Sequence, residues 1–354
     1  MIDATVREPA KLLSSRPVVS KGFVTVGVST VLLFVVCALV APTSVSGGAV
    51  LGMIPFAAVL AIVGLGQMLV VQQGGIDLSI PGAVSLAIVI VSHEPDGDNS
   101  RLLPAVVLAL AYAIGAGLLN GFMVGRLGLN SIIATLGTNA LLFGAVLGIS
   151  GGTPRSTTSL LAGIAGGLTW GIPNSAFFAL AALALVTVMV KRTVAGRRFE
   201  AVGANPLTAR ATGLRVTIHQ SLAFVWAQLL YCLAGILLAG ITNQPTAFQG
   251  DAYLLPAVAV VVLGGTSLLG GRGYPVATVI AALFLSQLDQ FVLSLGVPYA
   301  VRTLVQAAAL AVGVALYTVD WAAFRQRFIR RSPGSAPRHD CYTPGTRFST
   351  ERSK

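Results

Sequence analysis

An all-α, polytopic transmembrane helical bundle of about ten spans, some of them broken or re-entrant, is the fold class that this sequence predicts. Three observations lead there. Hydrophobic residues make up 55% of the 354 and charged residues only 10%, with a mean hydropathy of +0.83, outside the range of soluble globular domains. Apolar runs close to the roughly 20 residues needed to cross about 30 Å of hydrocarbon recur along the chain. The basic residues behind the net charge of +11 fall between those runs and in two tails. That distribution orients a chain in a bilayer and is a poor stripe for nucleic acid.

In chain order, residues 1–22 form a polar, basic leader, expected in the cytosol. It is longer than an ordinary signal n-region and no convincing A-x-A site follows it, so 23–41 reads as a retained first span. Further spans are placed at 50–71, 79–91, 102–125, 131–149, 175–190, 219–242, 252–271, 274–295 and 299–319, giving a membrane domain of 23–319. A basic, proline-containing tail at 320–354 is expected to be cytosolic and disordered.

The third candidate has only 13 residues and needs an independent check. If all ten cross and both ends are cytosolic, the inner segments carry 20 basic residues and the outer ones only Arg101, Arg155 and Arg302. Without that crossing the asymmetry largely collapses, so the short segment is read as spanning. The glycine-rich stretch 151–173 is expected to form a partly buried external loop.

Three glycine-rich junctions interrupt the apolar pattern: GGIDLSIPG at Gly74 to Gly82, TLGTNALLFG at Thr135 to Gly144, and LGGTSLLGGRGYP at Leu263 to Pro275. Irregular backbone at membrane depth survives only where protein or a water-filled cavity surrounds it. Most of the 40 glycines serve close helix packing, but these junctions mark the bundle interior. Asp77 in the first junction reads as a cap for the following segment, with Ser79 and Pro81 beside it. Gln67, Asp77, Ser79, Thr138, Asn139, Gln287 and Asp289 are the candidates for a polar pathway, because polar groups in spans face neighbours or water.

Other chemistry is excluded by motif. There is no G-x-x-x-x-G-K-[ST] phosphate loop, no H-E-x-x-H and no G-x-S-x-G, and only three histidines, so no catalytic residues are assigned. Cys37, Cys232 and Cys341 are odd in number and scattered, which supports neither a disulfide framework nor a zinc site. Asp96, Asp98 and Asn99 resemble a calcium-loop fragment but lack its glycine and terminal glutamate, and are read as a solvated turn. No metal is expected.

The hydrophilic island 191–218 stands out between apolar runs, with six basic residues and one acid. Asn205-Pro206 is an N-cap and first-turn pair, so 207–212 is expected to form a short helix ended by Gly213. Such a helix held between two spans can act as a lever on a cytosolic partner.

At these residues the chain resembles the ribose-type ABC importer permeases, a family that also holds permeases for other monosaccharides and autoinducer-2. The resemblance rests on GGIDLSIPGAVSLA, TLGTNALLFG, GRRFEAVGANPLTARATGLRV at Gly196 to Val216 and AVVVLGGTSLLGGRGYPVATVIAAL at Ala259 to Leu283, and covers about residues 20–325. It implies a permease subunit in a bacterial cytoplasmic (inner) membrane. The implied partners are a second permease subunit, identical or related, cytosolic ABC ATPases below and an extracytoplasmic solute-binding protein above. ATP and Mg would be held by the ATPases, with no cofactor in this chain. The island then corresponds to the ATPase-coupling loop, with Glu200, Ala201, Gly203, Asn205, Ala209, Arg210 and Gly213 at the matching positions. Ile80-Pro81 departs from the Val-Gly frequent in the first motif. An ion-coupled secondary transporter is the leading alternative. A membrane-embedded enzyme or a structural membrane protein are further rivals.

Overall fold

Among the described residues, seven helices are long and apolar enough to cross a membrane by length and composition, and two shorter apolar helices accompany them. These belong to a computed structural model that describes residues 21–298, 300, 301, 303, 304, 307 and 308. The seven are α1 (Lys21–Val40), α2 (Gly47–Gln72), α4 (Leu102–Gly121), α5 (Ser131–Ser150), α7 (Asn174–Thr187), α10 (Val216–Thr242) and α12 (Pro275–Ser294). Helices α4 and α7 continue as π-helical turns through Arg126 and Arg192. The expected span at 299–319 and the tail at 320–354 lie outside the described residues, as does most of the leader.

Two of the expected spans are short helices, the third as its 13-residue run suggested and the eighth against expectation. Helix α3 (Ile80–His93) has 14 residues and covers about 21 Å at 1.5 Å per residue, less than the hydrocarbon thickness. The stretch before it turns at Gln73 and Gly74 and then runs without regular structure from Gly75 to Ser79. The eighth candidate is helical only over α11 (Leu254–Leu263), preceded by a 3-10 turn at Gln249–Tyr253, where a helix running to 271 was expected. Gly265, Gly270 and Gly271 all have φ between 81° and 91°, a conformation that stops the helix and turns the chain towards α12.

Helices α2, α3 and α10 form the buried centre, and α4, α5, α7, α11 and α12 pack around them. The centre is buried on nearly all sides: every residue of α2 from Ala57 to Gln72 is inaccessible. Leucines and valines on the peripheral helices, such as Leu103, Val107, Leu141 and Leu180, remain exposed, as a lipid-facing surface requires. The α4–α10 contact is built on small residues at four-residue spacing. A side chain at Gly117 would meet the Val225 Cα at 2.6 Å, and one at Gly121 the Ser221 Cα at 2.8 Å. Backbones can therefore approach where side chains would hold them apart.

The stretch 151–173 is more ordered than a loop. Helix α6 (Ser159–Gly166) packs against α10, with Leu161 and Ala165 buried, and a two-stranded hairpin pairs β1 (Leu168–Thr169) with β2 (Ile172–Pro173). The aspartates that resembled a calcium loop tether neighbouring segments. Asp96 pairs with Arg155 at 2.8 Å, while Asn99 bonds Ser159 and Leu160. The Ser100 backbone N–H donates to Asp98 at 2.8 Å and holds that carboxyl below its ordinary range. Among the described residues no group of three or more metal-ligating side chains gathers.

Candidate functional site

Irregular backbone inside a bundle must find partners for its N–H groups, and here one face of α5 supplies them. Ser131 Oγ accepts from the Ile76 N–H at 3.1 Å, Thr135 Oγ1 from Leu78 at 2.8 Å, and Asn139 Oδ1 from Gly82 at 2.8 Å. The three acceptors lie at i, i+4 and i+8, one stripe of a helix. The first and second sequence junctions are thus two halves of one structure. Gly74, at φ +79°, ends α2 and starts the irregular run.

Directly behind that run is a buried polar cluster. Asp77 is fully buried, and its Oδ1 accepts from the Ser79 N–H at 2.8 Å and the Ser79 hydroxyl at 2.5 Å. Asp77 closes a turn on the chain entering α3, whose N-cap residue is Ser79, and it makes no side-chain cap bond to the helix itself. Ser79 Oγ in turn accepts from Gln228 Nε2 at 2.6 Å and Asn120 Nδ2 at 3.2 Å, and Asn120 Oδ1 accepts from Thr138 at 2.6 Å. Gln67 Oε1 accepts from the Tyr231 hydroxyl at 3.1 Å and from the Asp77 N–H at 3.4 Å. Four helices and the irregular segment are tied through these side chains. Such a network holds a broken span in one conformation.

Of the pathway candidates, Gln67, Asp77, Ser79 and Thr138 come together in this cluster, and Asn139 lies beside it on the α5 stripe. Gln287 and Asp289 do not join them. Gln287 is buried and donates to the Ser44 carbonyl at 3.5 Å, while Asp289 lines a separate cavity on α12. Sequence reasoning missed Asn120, Gln228 and Tyr231. Asn120 lies in α4 and Gln228 and Tyr231 three residues apart in α10, each set in an apolar run with no motif to mark it.

The third junction meets the island beneath the same α2. The island folds as α8 (Val194–Ala204) and α9 (Pro206–Ala211). Asn205 Oδ1 accepts from the Thr208 N–H at 3.0 Å, and Gly213 at φ +83° follows the end of α9, as the sequence indicated. Helix α8 was not foreseen, because 194–204 is short, polar on average and broken by two glycines, and reads as part of the hydrophilic connector. Val202, Ala209 and Val216 form a small apolar core inside the elbow.

Three segments far apart in sequence converge at this elbow. Gln72 Nε2 donates to Glu200 Oε1 and to the Gly271 carbonyl, both at 3.4 Å, and the Gly271 N–H donates to the Gln72 carbonyl at 2.8 Å. Gln73 Nε2 donates to the Phe199 carbonyl at 2.9 Å. Lys191 forms an ion pair with Glu200 and stands 5.6 Å from the centre of the Tyr274 ring. Gly203 lies so close to the Gln72 carbonyl that a β-carbon there would overlap it, and Gly270 approaches the Gly203 carbonyl in the same way. Of the matched island positions, Gly203 and Ala209 face inward, Glu200 is half-buried, and Ala201, Asn205, Arg210 and Gly213 are exposed.

Broken spans stitched into a helical bundle, with a polar elbow joined to them at one end, are the build of a multi-pass membrane protein. The sequence model described as the branched-chain amino acid transport system, permease component, matches residues 49–314, and the chain belongs to that family. It is similar to the ribose import permease protein of Bacillus subtilis (strain 168), 31% identical over 290 residues, covering 80% of this chain and 89% of that one. The ribose import permease protein of Escherichia coli (strain K12) is 32% identical over 267 residues, covering 72% and 80%. The autoinducer 2 import system permease protein of Enterobacter sp. (strain 638) is 35% identical over 240 residues, covering 65% and 67%. No solved structure matches. The chain is accordingly a permease component of an ABC import system and not an ion-coupled transporter or an enzyme.

Proposed function

We propose that this chain carries a monosaccharide or similar small polar solute across a bacterial cytoplasmic membrane. It works with a second permease subunit, cytosolic ABC ATPases that hold ATP and Mg, and an extracytoplasmic solute-binding protein. Both termini and the island at 191–218 face the cytosol in this reading. The convergence of the island with the ends of α2 and the 264–274 turn is the observation that carries it. An ATPase that displaces the exposed face of α9 moves Glu200 and Gly203, and with them Gln72 and Gly271. Motion at the elbow thereby reaches the broken segment ahead of α3. Nucleotide shifts the inward and outward states only by binding them unequally through the partner.

The solute class follows from the ribose and autoinducer-2 importers that the chain resembles, and from the scarcity of charge in its spans. Orientation is tested by placing a cysteine at Ala204, an exposed position at the elbow. In intact cells an impermeant thiol reagent is expected to leave Ala204→Cys unlabelled until the membrane is opened. Labelling from outside would place the elbow away from any ATPase and end the proposal.

A further inference from the structure

Two apolar helices reach the edge of the bilayer at one hollow. The π-helical turn that extends α4 ends at Arg126 and α10 starts at Val216, and these two positions bound stretches long and apolar enough to cross a membrane. Between them, together with α9, opens a cavity of about 720 Å³. Small-molecule sites run from about 300 to 1,000 Å³. None of the residues of the Asp77 cluster lines it.

Its walls are of two kinds. Arg126, Arg210 and Arg215 supply three guanidinium groups, and no lining residue is acidic. Arg101, Arg155 and Lys191 each have an acid partner, whereas among the described residues no carboxylate pairs with any of these three. Arg215 is also the N-cap residue of α10, where the positive end of a 27-residue helix already favours an anion and disfavours a further cation. A bound anion relieves such uncompensated charge. Leu127 and Ile218 line the same space and are exposed, and Leu222, one turn further along α10, continues that apolar surface into the span.

We propose that this hollow is a binding site for an anionic phospholipid, whose phosphodiester is held by Arg126 and Arg215 with Arg210 contributing from α9, and whose acyl chain lies along Ile218 and Leu222. The inference rests on the membrane placement of the chain and on neither the solute nor the coupling to an ATPase. A guanidinium presents its N–H donors as a planar fork that matches phosphate oxygens. Basic pockets between spans, at the level where the helices leave the hydrocarbon, take lipid headgroups by this chemistry. A soluble phosphate ester or an acidic protein segment would use the guanidinium groups alone. A lipid uses both halves of the hollow, the charged wall and the exposed apolar one.

Native mass spectrometry of the full-length chain in detergent tests this, with dioleoyl phosphatidylglycerol against dioleoyl phosphatidylcholine at equal concentration. The phosphatidylglycerol is expected to bind at least about tenfold more tightly. Arg126→Gln combined with Arg215→Gln should bring the two lipids within about twofold of each other. Arg197→Gln combined with Arg198→Gln removes the same charge from exposed positions on α8 and should keep the full preference. Arg210 is left in place because the coupling loop also contains it. Glycerophosphate in large excess is expected not to displace the lipid. No preference in the unmodified chain, or equal loss in the two paired variants, would overturn the proposal. So would displacement by glycerophosphate, which would make this a site for soluble anions. Loss of a co-purifying ABC ATPase from the Arg126 and Arg215 variant, with its lipid preference intact, would give the arginines to a protein partner instead. Should that pair fail to fold, Arg126→Gln alone is expected to lower the preference about threefold, and an unchanged preference there would equally overturn the site.

Discussion

Thr135 shows how one hydroxyl sustains an irregular backbone. Its Oγ1 receives the Leu78 N–H at 2.8 Å and itself donates to the Ser131 carbonyl at 2.8 Å, so it serves the irregular segment without breaking α5. Replacing it by valine keeps the shape and strands that N–H, which costs about 1 to 3 kcal/mol when no water can enter. Thr135→Val is expected to lower the unfolding temperature of the detergent-solubilised chain, and Thr135→Ser to restore most of the loss. Equal stability of all three would mean that the α5 stripe does not hold the segment. Residues of this kind were partly legible beforehand. Thr138 and Asn139 announced themselves by sitting in a glycine-rich run, as did Asp77 beside Pro81. Gln72, Gln73, Asn120 and Gln228 did not, since an amide in an apolar helix carries no signal of what it will meet across the bundle.

The α4–α10 crossing decides how tightly the centre closes around the polar cluster, because Asn120 sits between Gly117 and Gly121 on the packed face. Gly121→Leu is expected to destabilise the chain by more than the roughly 1 to 3 kcal/mol typical of overpacking, since the obstacle is the Ser221 backbone at 2.8 Å. Gly115→Leu, directed into open space on the same helix, should be nearly neutral. Comparing the detergent-solubilised melting curves of the two variants checks the assignment, and equal losses would refute it. Helix existence was readable from apolar length, and the caps at Asn205 and Gly213 from local chemistry. The early end of α11 and the presence of α8 were not. Beyond those elements, Gly203, Gly270 and Gly271 pack against chain segments more than 60 residues away, which local sequence does not reveal.

Across the whole molecule, the elbow and the end of α2 ahead of the broken span are bonded together, and on the proposed coupling the Lys191–Glu200 ion pair offers a clean handle. Lys191 and Glu200 each keep about a third of their side-chain surface exposed, at 35% and 31%, so their pairing contributes roughly 0 to 1 kcal/mol to folding. Lys191→Glu or Glu200→Lys alone is expected to leave expression and melting nearly unchanged. Each should cut ATP-driven uptake severalfold, while the double exchange recovers at least half of it. Full uptake in both single variants would remove the pair from the path. The clustering of basic residues that marks the island was visible in the sequence. Its attachment to Gln72 and Gly271 was not, because it joins positions 128 and 199 residues apart.

The joint under the island is made mostly of main-chain atoms: the Gln72 carbonyl, the Gly271 amide, and glycines with nothing to interpose. Leu207 and Arg210, on the outward side of the same elbow, are exposed and bear none of that attachment. On the proposed coupling to an ATPase, selection can retailor those exposed side chains from one partner to the next while the main-chain hinge beneath keeps its fit.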